Sequence, residues 1–411
     1  MSEDKRSPSK TTDYRVVGTR PPRADASEKV IGRALFGADR NLPGMIYGKF
    51  IRSPHAHARI RSIDTTRAAS SPGVHAVVTA EDFRWGEDRE VQVDEGEINL
   101  KYLHENMLAR EKVLYVGHPV AAVAASSPHA AEEAAKLIEV EYEALPAVTD
   151  VREAIKPDAP LLHERLLTQS LSKPARKPSN IGSHFQNVKG NPAQGFSQAD
   201  FIVEREFTAS TVHQGYIEPH ACTVWWAPDG SLRVWTSTQG AFGMRDQLAK
   251  LLKLPMSKIH VTPLEVGGAF GGKLPIYIFL EAVGALLSRK ANRPVKMTMT
   301  RAEVFLATNP TSGAHMKVKI GATREGRITA AQAELYFEAG AFPSAGVIGY
   351  LGFAMAYMFA PYEIPHGQID AYDVVVNKPR TAAYRAPGVP QANFPVEQLI
   401  DEIAVRLGMD P

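Results

Sequence analysis

The feature that most restricts how this chain can fold is a glycine-rich loop at residues 266–273, Val-Gly-Gly-Ala-Phe-Gly-Gly-Lys. It lies between a predicted strand from Lys258 to Val266 and a helix that we expect to open at Pro275. Glycine permits backbone conformations that other residues avoid and lets a ligand approach the main chain. Phe270 is unusual for a flexible hinge, so we expect something to pack against its ring. The loop is predicted to present main-chain N–H groups to an anionic or oxo-bearing ligand. A tight strand–helix connection without a ligand is the plainer alternative.

A nucleotide-binding P-loop is the first template to compare with this loop. Gly267, Gly272 and Lys273 match the opening of that motif, but Leu274 stands where a magnesium-binding Ser or Thr is required. No apolar strand ending in Asp follows at a suitable distance. The sequence therefore argues against nucleotide binding.

Composition favours an enzyme component over a nucleic-acid or membrane protein. A length of 411 residues favours two or three domains. The formal net charge of +2, with both signs interspersed, argues against a nucleic-acid or membrane partner. A single cysteine excludes an intrachain disulfide and a cysteine-ligated iron–sulfur cluster within the chain. The uncharged stretch 339–362 contains several Gly and Pro, so we interpret it as a buried helix or pocket wall rather than a membrane span. No apolar signal segment follows the start, and we expect a cytoplasmic protein.

Composition and periodicity divide the chain into four segments. Residues 1–27 are predicted as a disordered tail, and residues 28–150 alternate short strands and helices. Residues 151–180 include a Pro-, Lys- and Ser-rich passage and are predicted as an exposed linker. Residues 181–411 are predicted as a larger α+β unit. Strands are predicted at 48–52, 74–79, 114–124 and 138–142, a helix from Pro128, hairpin turns at 228–230 and 324–327, and an amphipathic helix at 393–407.

Two further motifs flank the glycine-rich loop. Thr238-Gln239-Gly240 precedes it, and Tyr384-Arg385-Ala386-Pro387-Gly388 follows it. In this order the three motifs resemble the large, molybdenum-cofactor-binding subunits of the xanthine dehydrogenase/aldehyde oxidase family, the molybdenum hydroxylases. Segments 51–56, 115–121 and 397–404 agree with the same pattern. The resemblance covers about residues 14–411.

The resemblance implies an α+β architecture with two main parts. An N-terminal a/b hammerhead-type domain would occupy residues 28–150, and the first molybdenum-cofactor-binding domain would occupy residues 181–411. The implied cofactor is molybdenum–molybdopterin, for which the cytosine dinucleotide form is one candidate. Because the dithiolene of the pterin holds the metal, no side chain is expected to coordinate it directly. FAD and [2Fe–2S] clusters would lie on partner subunits.

The resemblance also assigns roles to residues of the three motifs. Gln239 would place its amide against an oxygen ligand of the metal; a bond to the local backbone is the alternative. Phe270 and Gly271 would offer main-chain N–H groups to the cofactor, and the Phe270 ring would shape the substrate side. Arg385 would hold the 384–388 loop against the cofactor, with a surface salt bridge as its alternative.

Other polar residues near the motifs are expected to have structural roles. Lys273 is expected to cap a helix or face solvent. Glu218, His213 and His220 are expected to belong to a satisfied polar network rather than a metal site. Cys222 lies in a predicted strand and is expected to be a buried core thiol.

Departures from the family pattern reduce the range of substrates that we expect. Purine-oxidising members carry a Glu at the position of Leu274, which we assign to the substrate pocket, and a substrate-binding Arg that is absent here between Arg327 and Arg380. A purine would leave buried polar groups unpaired, at about 1–3 kcal/mol each. Carbon monoxide dehydrogenases place a copper-ligating Cys where Ala386 stands. Together with an apolar wall predicted at 347–358, these features favour an aldehyde or an N-heteroaromatic substrate.

Family large subunits continue through a second cofactor domain, which carries the general-base Glu, so the catalytic base is unknown in this chain. Either a second molybdopterin-binding subunit completes the site, as in nicotinate dehydrogenases, or the chain is a fragment of a full-length subunit; we favour the first. The resulting hypothesis is a component, inactive alone, of a multi-subunit oxidoreductase that uses water as its oxygen source and contains iron–sulfur and FAD subunits. A non-catalytic scaffold or assembly subunit is the alternative.

Overall fold

The computed structural model describes residues 14–83, 89–93, 96–170, 175–275, 279–343 and 350–411. The described residues divide into two compact units, one that ends at Leu35 and one that runs from Phe36 to Pro411. The described part of the first unit contains one short helix, Ala26–Val30 (α1). The first 13 residues of the predicted disordered tail lie outside the described residues.

The strands of the second unit are 2 to 13 residues long. In chain order they are β1 Ile46–Arg52, β2 Ala58–Asp64, β3 Val74–Thr79, β4 Glu90–Val93, β5 Gly96–Asn99, β6 Lys112–Val113, β7 Pro119–Ala125, β8 Glu139–Ala144, β9 Gln169–Ser170, β10 Ile181–Lys189, β11 Phe201–Ala209, β12 Ala221–Trp226, β13 Leu232–Thr236, β14 Ile259–Pro263, β15 Val295–Thr298, β16 Ala314–Ala322, β17 Ile328–Gly340 and β18 Gly367–Val375.

The helices are distributed among these strands, which makes the fold a mixed α and β one. They are α2 Thr66–Ala69, α3 Leu100–Met107, α4 Pro128–Ala135, α5 Val151–Ala154, α6 Pro192–Ser197, α7 Ala241–Leu252, α8 Glu281–Ala291, α9 Arg301–Ala307, α10 Tyr350–Tyr357 and α11 Val389–Leu407.

A seven-stranded sheet in the order β14-β13-β12-β15-β1-β7-β3 joins elements from both sides of the predicted linker. β1 pairs in parallel with β15, with Ile46 opposite Val295, and antiparallel with β7. All seven residues of β7 are buried. Ala122 packs in the cluster that contains α8, and Val123 packs with Ala134 of α4. Because successive strand residues point to opposite faces, both faces of this strand are covered.

A six-stranded sheet in the order β11-β16-β17-β18-β10-β9 forms the second large layer. The inward residues of β16 and β17 pack in one cluster with Leu399 and Ile403 of α11. The amphipathic helix predicted at 393–407 is therefore confirmed, but it begins earlier, at Val389, with Pro390 in its first turn. Proline fits there because the first helical turn needs no N–H donor.

Most of the predicted local elements are confirmed. The strand at 74–79 and the helix from Pro128 are present, and both predicted turns join antiparallel pairs, β12 with β13 and β16 with β17. The strand predicted at 114–124 is wrong over its first residues, since β7 begins at Pro119. Residues 114–118 form a turn instead: the Leu114 N–H donates to His118 Nδ1 at 3.2 Å, and Gly117 has φ +93°.

The segment predicted as a linker contributes to the core as well as to the surface. Val151 of α5 and Leu162 are buried in a cluster with Val374 and Val376 near the end of β18. Residues 176–178 are exposed, and residues 171–174 lie outside the described residues. The four segment boundaries stay a prediction.

The uncharged stretch 339–362 includes the end of β17 and the whole of α10. Residues 344–349, where the predicted apolar wall begins, are outside the described ranges. Within those ranges, no helix has the length and hydropathy needed to cross a membrane.

Candidate functional site

Two of the three motifs follow the C-terminal ends of neighbouring strands in the seven-stranded sheet. β13 and β14 are parallel neighbours, with Thr236 opposite Pro263 at their C-terminal ends. The 238–240 motif follows β13, and the glycine-rich loop follows β14. Sheet pairing therefore places these motifs side by side.

Gln239 fastens the glycine-rich loop through both its backbone and its side chain. Its main-chain N–H donates to the Lys273 carbonyl at 2.9 Å. Its Oε1 accepts hydrogen bonds from the N–H groups of Gly271 at 3.0 Å and Lys273 at 3.3 Å. The residue is exposed, and its Nε2 amide has no acceptor among the residues that the structure describes. The amide oxygen is thus engaged, while the amide donors remain available to a ligand.

The third motif packs directly against the loop. The Arg385 N–H donates to the Phe270 carbonyl at 2.9 Å. Gly271 has φ +106°, and a Cβ at this position would lie 2.4 Å from the Ala383 carbonyl oxygen. The structure therefore brings together Gln239, Phe270, Gly271 and Arg385, four residues that the motifs assigned to the cofactor.

Strained backbone is concentrated where the motifs meet. Phe270, Arg385 and Ala386 have φ values of +55°, +20° and +64°. Such conformations cost about 1–3 kcal/mol each in residues other than glycine and tend to mark functional sites. The Phe270 side chain is 48% exposed, and the Arg385 side chain is exposed without an ion-pair partner in the described parts of the chain. The strain and the exposure together indicate a surface shaped for a ligand.

Leu274 ends the tight turn of the loop. Its N–H donates to the Gly271 carbonyl at 3.3 Å, and the residue is half-buried. Residues 276–278, at the start of the helix expected from Pro275, lie outside the described residues, and the next helix is α8. The assignment of Leu274 to a substrate pocket stays a prediction.

The expectation that Lys273 caps a helix or faces solvent is wrong. Its side chain is fully buried, its Nζ lies 2.6 Å from Glu218 Oε2, and it sits 5.1 Å from the centre of the Tyr216 ring. Desolvation lowers the pKa of Lys273, and the Glu218 carboxylate opposes that shift. No sequence spacing could have revealed this ion pair, since the two residues are 55 positions apart.

The expected polar network around Glu218 and the two histidines is confirmed. Tyr216 Oη lies 2.7 Å from His220 Nε2, and His213 Nε2 lies 2.9 Å from Thr308 Oγ1. Burial lowers the pKa of His213 to about 4 and the pKa of His220 well below its usual range, so both rings are neutral near pH 7. Cys222 is buried, as expected.

Side-chain metal ligands are not grouped in the part of the chain that the structure describes. No set of three or more His, Cys, Asp or Glu residues there is arranged to hold a metal ion. The arrangement at the motifs offers hydrogen-bond donors instead, from Gln239 Nε2, the Arg385 guanidinium and the main chain of the loop.

Comparison with known proteins identifies the two main parts of the fold. Residues 31–146 match the aldehyde oxidase and xanthine dehydrogenase a/b hammerhead domain. Residues 173–411 match the molybdopterin cofactor-binding domain. The α+β fold predicted from the motifs, a hammerhead domain followed by a molybdenum-cofactor-binding domain, is confirmed.

Individual relatives give the same result. The chain is 32% identical over 97% of its length to the nicotinate dehydrogenase large molybdopterin subunit of Eubacterium barkeri and covers 88% of that subunit. It is 32% identical to the carbon monoxide dehydrogenase large chain of Afipia carboxidovorans, covering 96% of this chain and 49% of that one. Quinoline 2-oxidoreductase from Pseudomonas putida 86 superimposes with a TM-score of 0.84 at 28% identity, covering 96% of this chain and 49% of that one.

The chain therefore spans most of one relative and about half the length of the other two. The three ordered motifs, the fold and these matches agree. The chain belongs to the xanthine dehydrogenase/aldehyde oxidase family of molybdenum hydroxylases and matches molybdopterin-binding large subunits of that family.

Proposed function

We propose that this chain supplies one wall of a molybdopterin site in a multi-subunit hydroxylase. The observation that carries this proposal is the convergence of Gln239, the glycine-rich loop and Arg385 at one strained surface. When bound, the cofactor supplies the redox chemistry, a two-electron oxidation with water as the oxygen source.

The donors at this surface suit an oxygen-rich, anionic pterin. The Phe270 N–H and Gln239 Nε2 have no acceptor within the described residues, and the guanidinium of Arg385 is exposed. The Gly271 N–H, in contrast, already donates to Gln239 Oε1. We therefore assign Gln239, Phe270 and Arg385 as the direct cofactor contacts, and Gly271 as the residue that lets the loop approach the 384–388 segment.

The proposal gives each of these residues a defined role. Gln239 holds the loop with its oxygen and directs its amide N–H donors at an oxygen ligand of the metal. Phe270 offers its main-chain N–H to the cofactor, and its exposed ring forms one side of the substrate space. Arg385 supports the anionic groups of the pterin. We assign the general base to no residue of this chain.

We place that base and the remaining cofactor contacts on a second molybdopterin-binding subunit. The high coverage of the nicotinate dehydrogenase large molybdopterin subunit supports this arrangement, because that relative is similar in length. Electrons would leave through an iron–sulfur subunit to an FAD subunit, all in the cytoplasm. The chain alone would be inactive.

The substrate is proposed to be an aldehyde or an N-heteroaromatic ring rather than a purine. Leu274 ends the loop with an apolar side chain, and the chain has no Arg between Arg327 and Arg380. The names of two similar proteins, for nicotinate and for quinoline, refer to N-heteroaromatic compounds.

Metal analysis of the chain expressed alone and with its neighbouring reading frames tests this function. We expect about one molybdenum per chain only in the assembled complex, because the cofactor needs both halves of its site. Stoichiometric molybdenum and turnover with the isolated chain would contradict the need for a partner. A complex that is active without molybdenum would contradict the cofactor.

A further inference from the structure

We propose that Glu218, Lys273 and Tyr216 form a positioning unit that fixes the glycine-rich loop before any ligand binds. The unit holds Phe270 and Gln239 in the arrangement that the site requires. This inference deepens the proposed function and rests on it for its catalytic consequence.

Glu218 holds the two ends of the loop at once. Its Oε2 accepts hydrogen bonds from the Gly267 N–H at 2.7 Å and from Lys273 Nζ at 2.6 Å. Its Oε1 accepts from the Gly37 N–H at 3.0 Å, and its own N–H donates to the Gly267 carbonyl at 3.1 Å. Both carboxylate oxygens are therefore in use. The Glu218 side chain is only 10% exposed, so bulk water does not readily replace these bonds.

Tyr216 forms the floor on which the loop lies. A Cβ on Gly268 would come within 3.1 Å of Tyr216 Cβ, and a Cβ on Gly272 would come within 2.7 Å of Tyr216 Cε1. The Lys273 ammonium lies above the same ring. The ring is 1% exposed, and its hydroxyl is fixed by His220. A Cβ at position 272 would therefore have to displace the Tyr216 ring, and a Cβ at position 268 would crowd it.

The ion pair between Glu218 and Lys273 specifies one conformation of the loop more than it stabilises the fold. A buried ion pair contributes little net stability, since desolvation of both groups offsets their attraction. Two charged groups with defined hydrogen bonds do, however, specify one arrangement of the chain. That arrangement reaches the site directly, because the Lys273 N–H donates to Gln239 Oε1 and the Phe270 carbonyl accepts from Arg385.

Hydrogen exchange of the 411-residue chain, without cofactor, tests the unit. We expect Glu218→Gln and Lys273→Met to speed exchange of the hydrogen-bonded loop amides about tenfold or more, the equivalent of one charge-assisted hydrogen bond. These amides are those of Gly267, Gly271, Gly272 and Lys273. Exchange in α8 should not change. Lys49→Met is the matched control, because Lys49 also pairs with a glutamate, Glu303, at 3.0 Å, and the Glu303 side chain is only 12% exposed. Neither side chain bonds to the loop.

A double variant separates positioning from general support of the fold. Glu218→Leu combined with Lys273→Met removes both charges, so the midpoint of unfolding should recover relative to the single variants. Loop exchange should stay fast, because the Gly267 N–H still lacks its carboxylate acceptor. Loop protection that returned with stability would overturn the proposal, as would unchanged loop exchange or equally faster exchange in α8.

The catalytic consequence is measured in the assembled complex at full molybdenum occupancy. We expect the single variants to lower kcat about tenfold or more with little change in KM, since positioning acts after the substrate is bound. Unchanged kcat would overturn the catalytic part of this inference. The exchange measurement does not depend on the cofactor, so its result stands apart from the proposed function.

Discussion

Replacing Gln239 separates its two hydrogen-bonding roles. Gln239→Ala removes two bonds to the loop, of 3.0 Å and 3.3 Å, and also the free Nε2 donors. Gln239→Glu keeps an oxygen that accepts from the same N–H groups but has no donor. Each lost bond costs about 0.5–1.5 kcal/mol in general, and water replaces part of it here because the side chain is exposed. We therefore expect Gln239→Ala to lose about 1 kcal/mol of unfolding free energy and Gln239→Glu to lose less.

The catalytic effect should follow the donors and not the stability. Removing an oriented donor that acts in the transition state lowers kcat about 10- to 1000-fold, equivalent to about 1.4–4 kcal/mol. We expect both variants to show this loss in the assembled enzyme at full molybdenum occupancy, with KM changed much less. Gln194→Ala, which changes an exposed glutamine of α6, is the control. Normal kcat in Gln239→Glu would refute the role of the Nε2 donors.

Gly271→Ala forces alanine to φ +106° with its Cβ 2.4 Å from a carbonyl oxygen. The free energy of unfolding in urea should therefore fall by well more than the about 1–2 kcal/mol that a left-handed residue alone costs. Gly230→Ala, at φ +79° in open space, should show only that smaller loss. Burial lowers the pKa of His118 and His163 to about 4, so in the range between about 4 and 6.5 the unfolded chain binds protons that the folded chain does not. The urea midpoint of unfolding should therefore fall as the pH decreases from about 6.5 towards 4. A midpoint that rises over this range would contradict the prediction. Leu274→Glu should lower kcat/KM for the native substrate by placing an unpaired carboxylate against an apolar molecule, and native kcat/KM should be higher for an aromatic aldehyde or nicotinate than for xanthine; a preference for xanthine would contradict the assigned pocket.

The sequence was most informative where the physical signal is local. The turn at 228–230 and the strand at 74–79 are set by residues within a few positions of each other, and both are found as predicted. The pairing of Ile46 with Val295 is a different case, because nothing near either residue indicates its partner. For this reason the single sheet that joins both sides of the predicted linker could not be derived from composition.

The candidate site shows the same division. The family resemblance carried by the three motifs groups Gln239, Phe270 and Arg385 at one site, and the structure brings these residues together. Burial of the Lys273 charge was missed, because it depends on Glu218 and Tyr216 from a distant part of the sequence. A motif gives the residue types at a site, but only the folded structure shows which of their polar groups already form hydrogen bonds or ion pairs within the protein.

The central claim is that the glycine-rich loop and Gln239 contact a molybdopterin cofactor. The most direct measurement is an experimental structure of the assembled, molybdenum-loaded complex. We predict that Gln239 Nε2 lies about 3 Å from an oxygen ligand of the metal and that the Phe270 N–H lies at a similar distance from the cofactor. A cofactor bound entirely by the partner subunit, with the 266–273 loop facing away from it, would contradict the account.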